Sequence, residues 1–229
     1  MAKHIGIVAC TAEGAALCYR TICSEASNLL GRNAHPEVSM HTYSFAKYVT
    51  CLERGDMEGV AQLMLSSAAK LESIGAQLLI CPDNAVHQAF PLVAVASFVP
   101  WLDIARIVTE QARACGFRRV GVIGTQWLVR SDVYPDKFRA AGIECVRPGD
   151  EDIEETDRII FEELVNGVFL PGSVAQLRHV IQRLAHRGCD AVVLGCTELP
   201  LVLSDLNSVL PTLDSTRLLA RAALRAALD

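Results

Sequence analysis

The sequence predicts an α/β protein with two similar lobes, each built on a parallel sheet with helices on both faces. Two observations predict this class. Short continuous apolar runs alternate with helical patterns along all 229 residues, and one phrase is written twice, as GAQLLICPDNAVH (75–87) and GCDAVVLGCTELP (188–200). Strands that are apolar throughout are typical of parallel sheets buried on both faces.

Each element is predicted from its hydrophobic period and from the residues that end it. Apolar residues that recur every three or four positions indicate helices, short apolar runs indicate strands, and glycines end several of the helices. The predicted strands are 5–9, 38–45, 77–81, 119–125, 143–148 and 190–195. The predicted helices are 12–31, 56–74, 101–115, one carrying Tyr134, Phe138 and Ala141, 151–166, 173–187 and, after LPTLDS (210–215), 215–228.

The second half of the chain restarts the pattern of the first. RVGVIGT (119–125) resembles HIGIVAC (4–10), and their strand starts, at 5 and 120, are 115 residues apart. The two copies of the longer phrase start 113 residues apart, at 75 and 188. Such similar offsets indicate an internal duplication.

The duplication predicts how the chain divides. We expect one lobe from residues 1–98 together with 209–229, and a second lobe from residues 99–208. A pseudo-twofold axis would relate the two lobes, with the functional site in the cleft between them.

Composition and charge exclude several classes of partner. The net charge is −5 and no block of Lys or Arg stands out, so we expect neither nucleic acid nor a membrane surface as a partner. No run of 18 apolar residues occurs and MAKHIGIVAC lacks a signal-peptide pattern, so a cytoplasmic location is expected. Nine Cys without a CxxC pair argue against a disulfide scaffold and against structural zinc.

Two residues of different chemistry follow corresponding predicted strands: Asp83 in the first lobe and Cys196 in the second. Sites in open parallel sheets form beyond the carboxyl ends of the strands. If the lobes are related by a pseudo-twofold axis, both side chains point into one cleft from opposite sides. A racemase needs such a pair, because it removes a proton from one face of a carbon and returns one to the other.

The residues next to this pair suit a carboxylate substrate. Asn84 and Thr197 follow the pair at predicted helix N-termini, where exposed backbone N–H groups bind anions. A helix N-terminus also stabilises a thiolate, which favours Cys196 as the main base.

At these residues the chain resembles a known family. VLGCTELP (193–200) resembles the second catalytic motif of the aspartate/glutamate racemases, and PDNAVH (82–87) is similar to their first motif, which usually reads P-C-N-T-A-H. The likeness runs from IGIVACTAEG through GVIGT to LDST. It implies two Rossmann-like lobes, catalysis without pyridoxal phosphate or metal, an amino-acid substrate with aspartate or glutamate as the default, and a homodimer.

The chain departs from the family pattern in three places. Asp83 replaces the first catalytic Cys, while Ala85 replaces Thr and Val86 replaces Ala. The first glycine-rich motif is altered to ACTAEG. Leu170 stands where many relatives with acidic substrates resemble G-x-F-K-P-E-S and use the Lys to hold a side-chain carboxylate. Candidate replacements for that Lys are Arg20, Lys47, Arg54 and Arg130.

Asp83 has three possible roles. In an apolar cleft opposite a thiolate, repulsion and desolvation disfavour its charge, so it would be neutral and act as the acid while Cys196 acts as the base. It could instead hold the substrate's ammonium group, or serve only as a cap for the following helix. Cys81, two residues earlier on an alternating strand, is a further candidate thiol.

Other residues are predicted around the pair. Glu198 either orients the site or is a helix-start Glu favoured by the dipole, and His87 is either a third acid/base group or a core His. Thr125 ends the GVIGT strand and would bind substrate, or form a turn. Cys10 and Thr11 end the first strand, and one of them is expected to line the cleft.

The sequence therefore predicts a cofactor-independent amino-acid racemase acting at the α-carbon, with Cys196 and Asp83 as its catalytic residues. One alternative is a lyase of the same fold that uses Cys196 alone on a malonate-like acid. Another is a weakly catalytic protein that binds small acids. The predicted substrate-binding residues are Asn84, Ala85, Thr197, Glu198, Thr125, Cys10, Thr11 and His87.

Overall fold

A computed structural model describes residues 2–229 of the chain. The chain divides into two compact units. One unit runs to Ile104 and resumes with Thr216–Asp229, and the other is Ala105–Ser215. Each unit contains one four-stranded parallel sheet, which confirms the predicted α/β class and the two lobes.

The first unit builds its sheet in the order β2-β1-β3-β4. Its strands are β1 (Ile5–Ala9), β2 (Val38–Thr42), β3 (Leu78–Ile80) and β4 (Trp101–Leu102). Its helices are α1 (Ala12–Leu30), α2 (Phe45–Glu53), α3 (Met57–Ser73) and α4 (Phe90–Ala96), with a short 3₁₀ helix at Ala85–Ala89.

The second unit repeats this order as β6-β5-β7-β8. Its strands are β5 (Arg119–Ile123), β6 (Glu144–Val146), β7 (Ala191–Leu194) and β8 (Thr212–Asp214). Its helices are α5 (Ile104–Ala114), which belongs to this unit from Ala105 onwards, α6 (Gln126–Val129), α7 (Val133–Ala140), α8 (Asp150–Glu162) and α9 (Pro171–His186), with 3₁₀ turns at Leu164–Asn166 and Leu199–Leu201. The last helix, α10 (Ser215–Leu228), returns to the first unit from Thr216 onwards.

The central strands of the two sheets pair in the same register. In the first sheet Ile7 of β1 lies opposite Ile80 of β3, and in the second Val122 of β5 lies opposite Val193 of β7. These pairs reproduce both offsets found in the sequence, so strand pairing supports the internal duplication. The segments that follow β3 and β7 therefore hold corresponding places in their sheets.

Three predicted elements differ from the structure. The strand predicted over 38–45 ends at Thr42, because the chain turns and starts the unpredicted helix α2 at Phe45. The helix predicted over 101–115 begins only at Ile104. Its first residues form β4, next to the point where the Pro100 carbonyl accepts a hydrogen bond from the Leu79 N–H at the edge of the sheet. A strand of two residues is too short to show a period of two.

The helix predicted over 151–166 is also interrupted. It ends at Glu162 and continues as the 3₁₀ turn Leu164–Asn166, because Gly167 adopts a left-handed conformation, with φ 71°. Within the described residues, 2–229, no helix is both long and apolar enough to cross a bilayer.

The core of the second unit brings α8 and α9 against β7 and extends to the carboxyl end of that strand. Cys196 and Leu199 belong to this buried cluster, in which Ile159, Ile181 and Val192 are fully buried. The segment after β7 is therefore held by packing on the side of the core.

Glycines end the helices that precede β3 and β7. Gly75 and Gly188 have φ of 96° and 83°, a left-handed conformation that L side chains rarely adopt.

We expect Gly188→Ala to lower the free energy of unfolding by about 1–2 kcal/mol, because alanine is strained in this backbone conformation. Denaturant unfolding of the purified variant measures this difference.

The matched control is Gly172→Ala in the first turn of α9, where an added Cβ meets nothing within 4 Å and φ is not positive. That variant should be neutral or more stable by up to about 1 kcal/mol. Equal losses of stability in the two variants would contradict the conformational explanation.

Candidate active site

Asp83 lies three residues beyond the end of β3 and caps the short 3₁₀ helix that follows. Its Oδ1 accepts hydrogen bonds from the backbone N–H groups of Ala85 at 3.0 Å and Val86 at 3.3 Å. The side chain is half-buried, whereas Cys81 on the same segment is fully buried. The helix-cap role is therefore present in the structure, and Asp83 is the more accessible of the two candidate groups.

The residues around Asp83 are almost completely buried. Asn84, Ala85 and His87 are 1%, 8% and 4% exposed. The His87 ring stands 2.6 Å, through Nδ1, from the Asp83 carbonyl, and Nε2 accepts from the Ile104 N–H at 3.4 Å. The ring also stacks on Phe90, with centroids 5.1 Å apart. Both His87 nitrogens thus contact the backbone and hold the loop that carries Asp83.

Two buried thiols meet beside Asp83, at the carboxyl ends of β1 and β3. The sulfurs of Cys10 and Cys81 are 3.9 Å apart. Burial, followed by the contact with Cys81 and the negative charge of Asp83, raises the pKa of the Cys10 thiol well above its ordinary value. Cys10 therefore stays a neutral thiol. Thr11, the next residue, is half-buried at the N-cap of α1.

Tyr48 on α2 is a buried neighbour of these thiols that the sequence did not reveal. Its side chain is fully buried, and desolvation, followed by the electrostatic effect of the neighbouring Cys10 and Cys81, raises its pKa. Although Ser67 is also close, the Tyr48 hydroxyl makes no hydrogen bond of ordinary geometry within the described chain. Because α2 itself was not predicted, no pattern placed this residue near the strand ends.

In the second unit, Cys196 forms a compact polar group with the two residues that follow it. Its Sγ donates to Glu198 Oε2 at 2.9 Å, and the Thr197 hydroxyl donates to the same oxygen at 2.8 Å. Glu198 and Thr197 are 1% and 2% exposed, and Cys196 is 8% exposed. Glu198 therefore contacts the thiol directly, and its role in orienting the site stays a prediction.

A close approach between two strand ends positions Cys196. A Cβ added at Gly195 would lie 2.4 Å from Leu128 Cδ2 and 2.9 Å from the Ile123 carbonyl oxygen. Only glycine fits there, and the Gly195 N–H donates to that same carbonyl at 2.8 Å. The bond ties the residue before Cys196 to the end of β5.

Thr125 stands just beyond the end of β5, at the N-cap of α6. It is 8% exposed, and its hydroxyl has no hydrogen-bond partner within residues 2–229. Unsatisfied buried hydroxyls are uncommon in folded proteins, so this oxygen is a good candidate for a substrate contact. No group of three His, Cys, Asp or Glu side chains within the same residues is arranged to hold a metal ion.

A cationic cluster lies at the carboxyl end of β2. The Nζ atoms of Lys47 and Lys70 lie 4.9 and 4.4 Å from the centroid of the Tyr43 ring. The Tyr43 hydroxyl contacts Ser66 at 2.7 Å, and Lys70, followed by Ser66, lowers its pKa. His41 links the cluster inward, with Nε2 at 3.0 Å from Lys70 Nζ.

This cluster bears on the predicted replacements for the missing Lys at position 170. Lys47 and Lys70 form no ion pair with a carboxylate in the part of the chain that the structure describes, whereas Arg130 pairs with Asp150 at 3.2 Å. Leu170 itself is half exposed. Lys70 was missed because it lies on α3, 23 residues beyond Lys47, and only the packing of α3 brings the two together.

Comparison with known proteins identifies the family. The model of the Asp/Glu/hydantoin racemases matches residues 7–223. A glutamate racemase of Thermus thermophilus is 31% identical over 154 residues, which are 65% of this chain and 54% of that enzyme. The broad specificity amino-acid racemase RacX of Bacillus subtilis (strain 168) is 22% identical over 172 residues, 74% of this chain and 73% of RacX.

The chain thus spans little more than half of the Thermus enzyme. Among solved structures, an aspartate racemase homologue from Pyrococcus horikoshii OT3 superposes with a TM-score of 0.85, at 30% identity and with 100% of each chain covered. Because the family pattern covers almost the whole chain and the fold agrees over its full length, this chain belongs to the Asp/Glu/hydantoin racemase family.

Proposed function

We propose that this protein is an amino-acid racemase that works without a cofactor and inverts the configuration at the α-carbon by using Cys196 and Asp83. The observation that carries the proposal is the equivalence of these residues in the duplicated sheets. Asp83 lies three positions after Ile80 of β3, and Cys196 lies three positions after Val193 of β7, which holds the corresponding place in its sheet. Membership of a racemase family supports the same conclusion.

The proposed reaction is a proton exchange at the carbon next to the substrate carboxylate. One of the two groups takes the α-proton, so that the C–H electron pair moves onto the carbon and its carboxylate. The other group then supplies a proton to the opposite face. Asn84, Thr197 and the unpaired hydroxyl of Thr125 are the proposed contacts for the substrate carboxylate.

The homodimer, the cytoplasmic location and the boundaries predicted for the lobes stay predictions of the sequence.

We propose amino acids with an acidic side chain as the first substrates to test. The names of two relatives, a glutamate racemase and an aspartate racemase homologue, favour this class. Leu170 argues against it, because it removes the usual lysine. Lys47 and Lys70 supply two positive charges without carboxylate partners among the described residues at a strand end of the first unit, and we assign them the role of holding the side-chain carboxylate.

The first prediction concerns exchange at the α-carbon. Proton NMR in D2O should show loss of the α-proton signal from both enantiomers of aspartate or glutamate. Cys196→Ser and Asp83→Asn should each lower the racemisation rate by about 10²–10⁴-fold, the usual contribution of a positioned acid or base.

Cys189→Ser is the matched control, because Cys189 is a buried thiol of the same unit that is not at a carboxyl strand end. It should keep the wild-type rate. Loss from one enantiomer only in the wild-type protein would show that a single group takes the α-proton, and an unaffected Asp83→Asn would remove Asp83 from the mechanism.

The second prediction concerns the two lysines. Lys47→Met and Lys70→Met should each raise KM for aspartate or glutamate by about tenfold, because each removes a charged hydrogen-bond donor worth about 1.5 kcal/mol. Steady-state kinetics with alanine serve as the control, since alanine has no side-chain carboxylate and its KM should not move. Equal effects on both substrates would show that the lysines act through the fold.

A further inference from the structure

We propose that the resting protein holds Cys196 as a neutral thiol, which serves as the proton donor. Glu198 is the positioning residue that keeps this thiol protonated. Asp83 rests as a carboxylate and is the base. The inference rests on the proposed function for its meaning in turnover. It reverses the assignment suggested by the sequence, in which Cys196 is the base.

The first argument is the hydrogen bond between Cys196 and Glu198. At 2.9 Å the sulfur and Oε2 share one proton, and an ionised carboxylate can only accept it. A thiol ordinarily keeps its proton to a much higher pH than a carboxyl group does, so the proton belongs on the sulfur. The Thr197 hydroxyl donates to the same oxygen, so Oε2 of Glu198 accepts two hydrogen bonds.

The second argument is charge. Glu198 is 1% exposed and forms no ion pair with any described residue, and its Oε1 has no hydrogen-bond partner there. A thiolate at Cys196 would place a second negative charge 2.9 Å from this carboxylate, where water is too scarce to screen it. The arrangement therefore opposes the thiolate and favours the thiol.

The third argument comes from Asp83. Its Oδ1 accepts two backbone N–H hydrogen bonds, from Ala85 and Val86, and hydrogen bonds of this kind favour the ionised carboxylate. Its side chain is half-buried and so keeps contact with water. The nearby thiol of Cys10 cannot replace it as the base, because burial raises its pKa well above the ordinary value.

These arguments give turnover a starting direction. Asp83 takes the α-proton and becomes a carboxylic acid, while the Cys196 thiol gives its proton to the other face and becomes a thiolate. Repulsion from Glu198 then favours rapid reprotonation of the sulfur, and Asp83 releases its proton to water. No oxidant or other reactant is required.

The test measures the ionisation of Cys196 directly. The protein is alkylated with iodoacetamide over a range of pH, and mass spectrometry of the peptide carrying Cys196 gives the rate, which follows the thiolate fraction. Exposed Cys115 is the internal reference for the reagent. In the wild-type protein Cys196 should react slowly near neutral pH, and Glu198→Gln should raise its rate by about tenfold or more, because an amide carries no charge and can donate to the thiolate.

Glu163→Gln is the matched control, because Glu163 is another buried carboxylate of the same unit with an unpaired oxygen and pairs with Arg158. It should leave the alkylation of Cys196 unchanged. Glu198→Asp, which keeps the charge, should restore slow alkylation. If Glu198→Gln does not fold, Glu198→Asp still tests the proposal, because its pH profile of Cys196 alkylation should lie close to that of the wild type.

Cys196 that is already thiolate near neutral pH in the wild-type protein would overturn the proposal. An unchanged alkylation profile in Glu198→Gln would overturn the role of Glu198. These outcomes are independent of turnover. Failure of the proposed racemisation would appear as unchanged α-proton signals with every amino acid, whatever the alkylation profile of Cys196.

Discussion

Parallel pairing between the two central strands of each sheet determines where Asp83, Cys196 and the residues next to them lie. β1 with β3, and β5 with β7, end together, so the residues just beyond them collect at one edge of each sheet. In the second unit the approach is close enough that only glycine fits at position 195. A wider separation there would move Cys196 away from the end of β5.

Asp83 and Cys196 hold corresponding positions in their own sheets, but the chemistry around them differs. In the first unit, Asp83 is a carboxylate that accepts from backbone N–H groups beside two buried thiols. In the second, Cys196 is a thiol that donates to a buried carboxylate. In the proposed racemase the acid and the base thus have unlike proton affinities, and we expect unequal kcat values in the two directions.

Several buried polar atoms near these strand ends lack a hydrogen-bond partner among residues 2–229: the hydroxyls of Tyr48 and Thr125, and Oε1 of Glu198. Each such atom costs the fold about 1–3 kcal/mol. The surrounding core provides the compensating stability, as the fully apolar strands and the cluster around β7 illustrate. Buried polar atoms without a partner are uncommon in folded proteins, and a catalytic role is one of the explanations for them.

The sequence by itself determined the class of fold, the duplication and the equivalence of Asp83 with Cys196. The hydrophobic period, the glycines that end helices and the repeated motifs are properties of neighbouring residues, so they can be recognised without any knowledge of tertiary contacts. Tertiary structure alone decided the short strand β4, the contact of Lys70 with Tyr43, and the place of Tyr48 beside Cys10 and Cys81. It also decided that Glu198 turns its carboxylate onto the sulfur of Cys196. These features depend on strand register and helix packing, which join residues far apart in the chain, and on rotamers that the packed neighbours select.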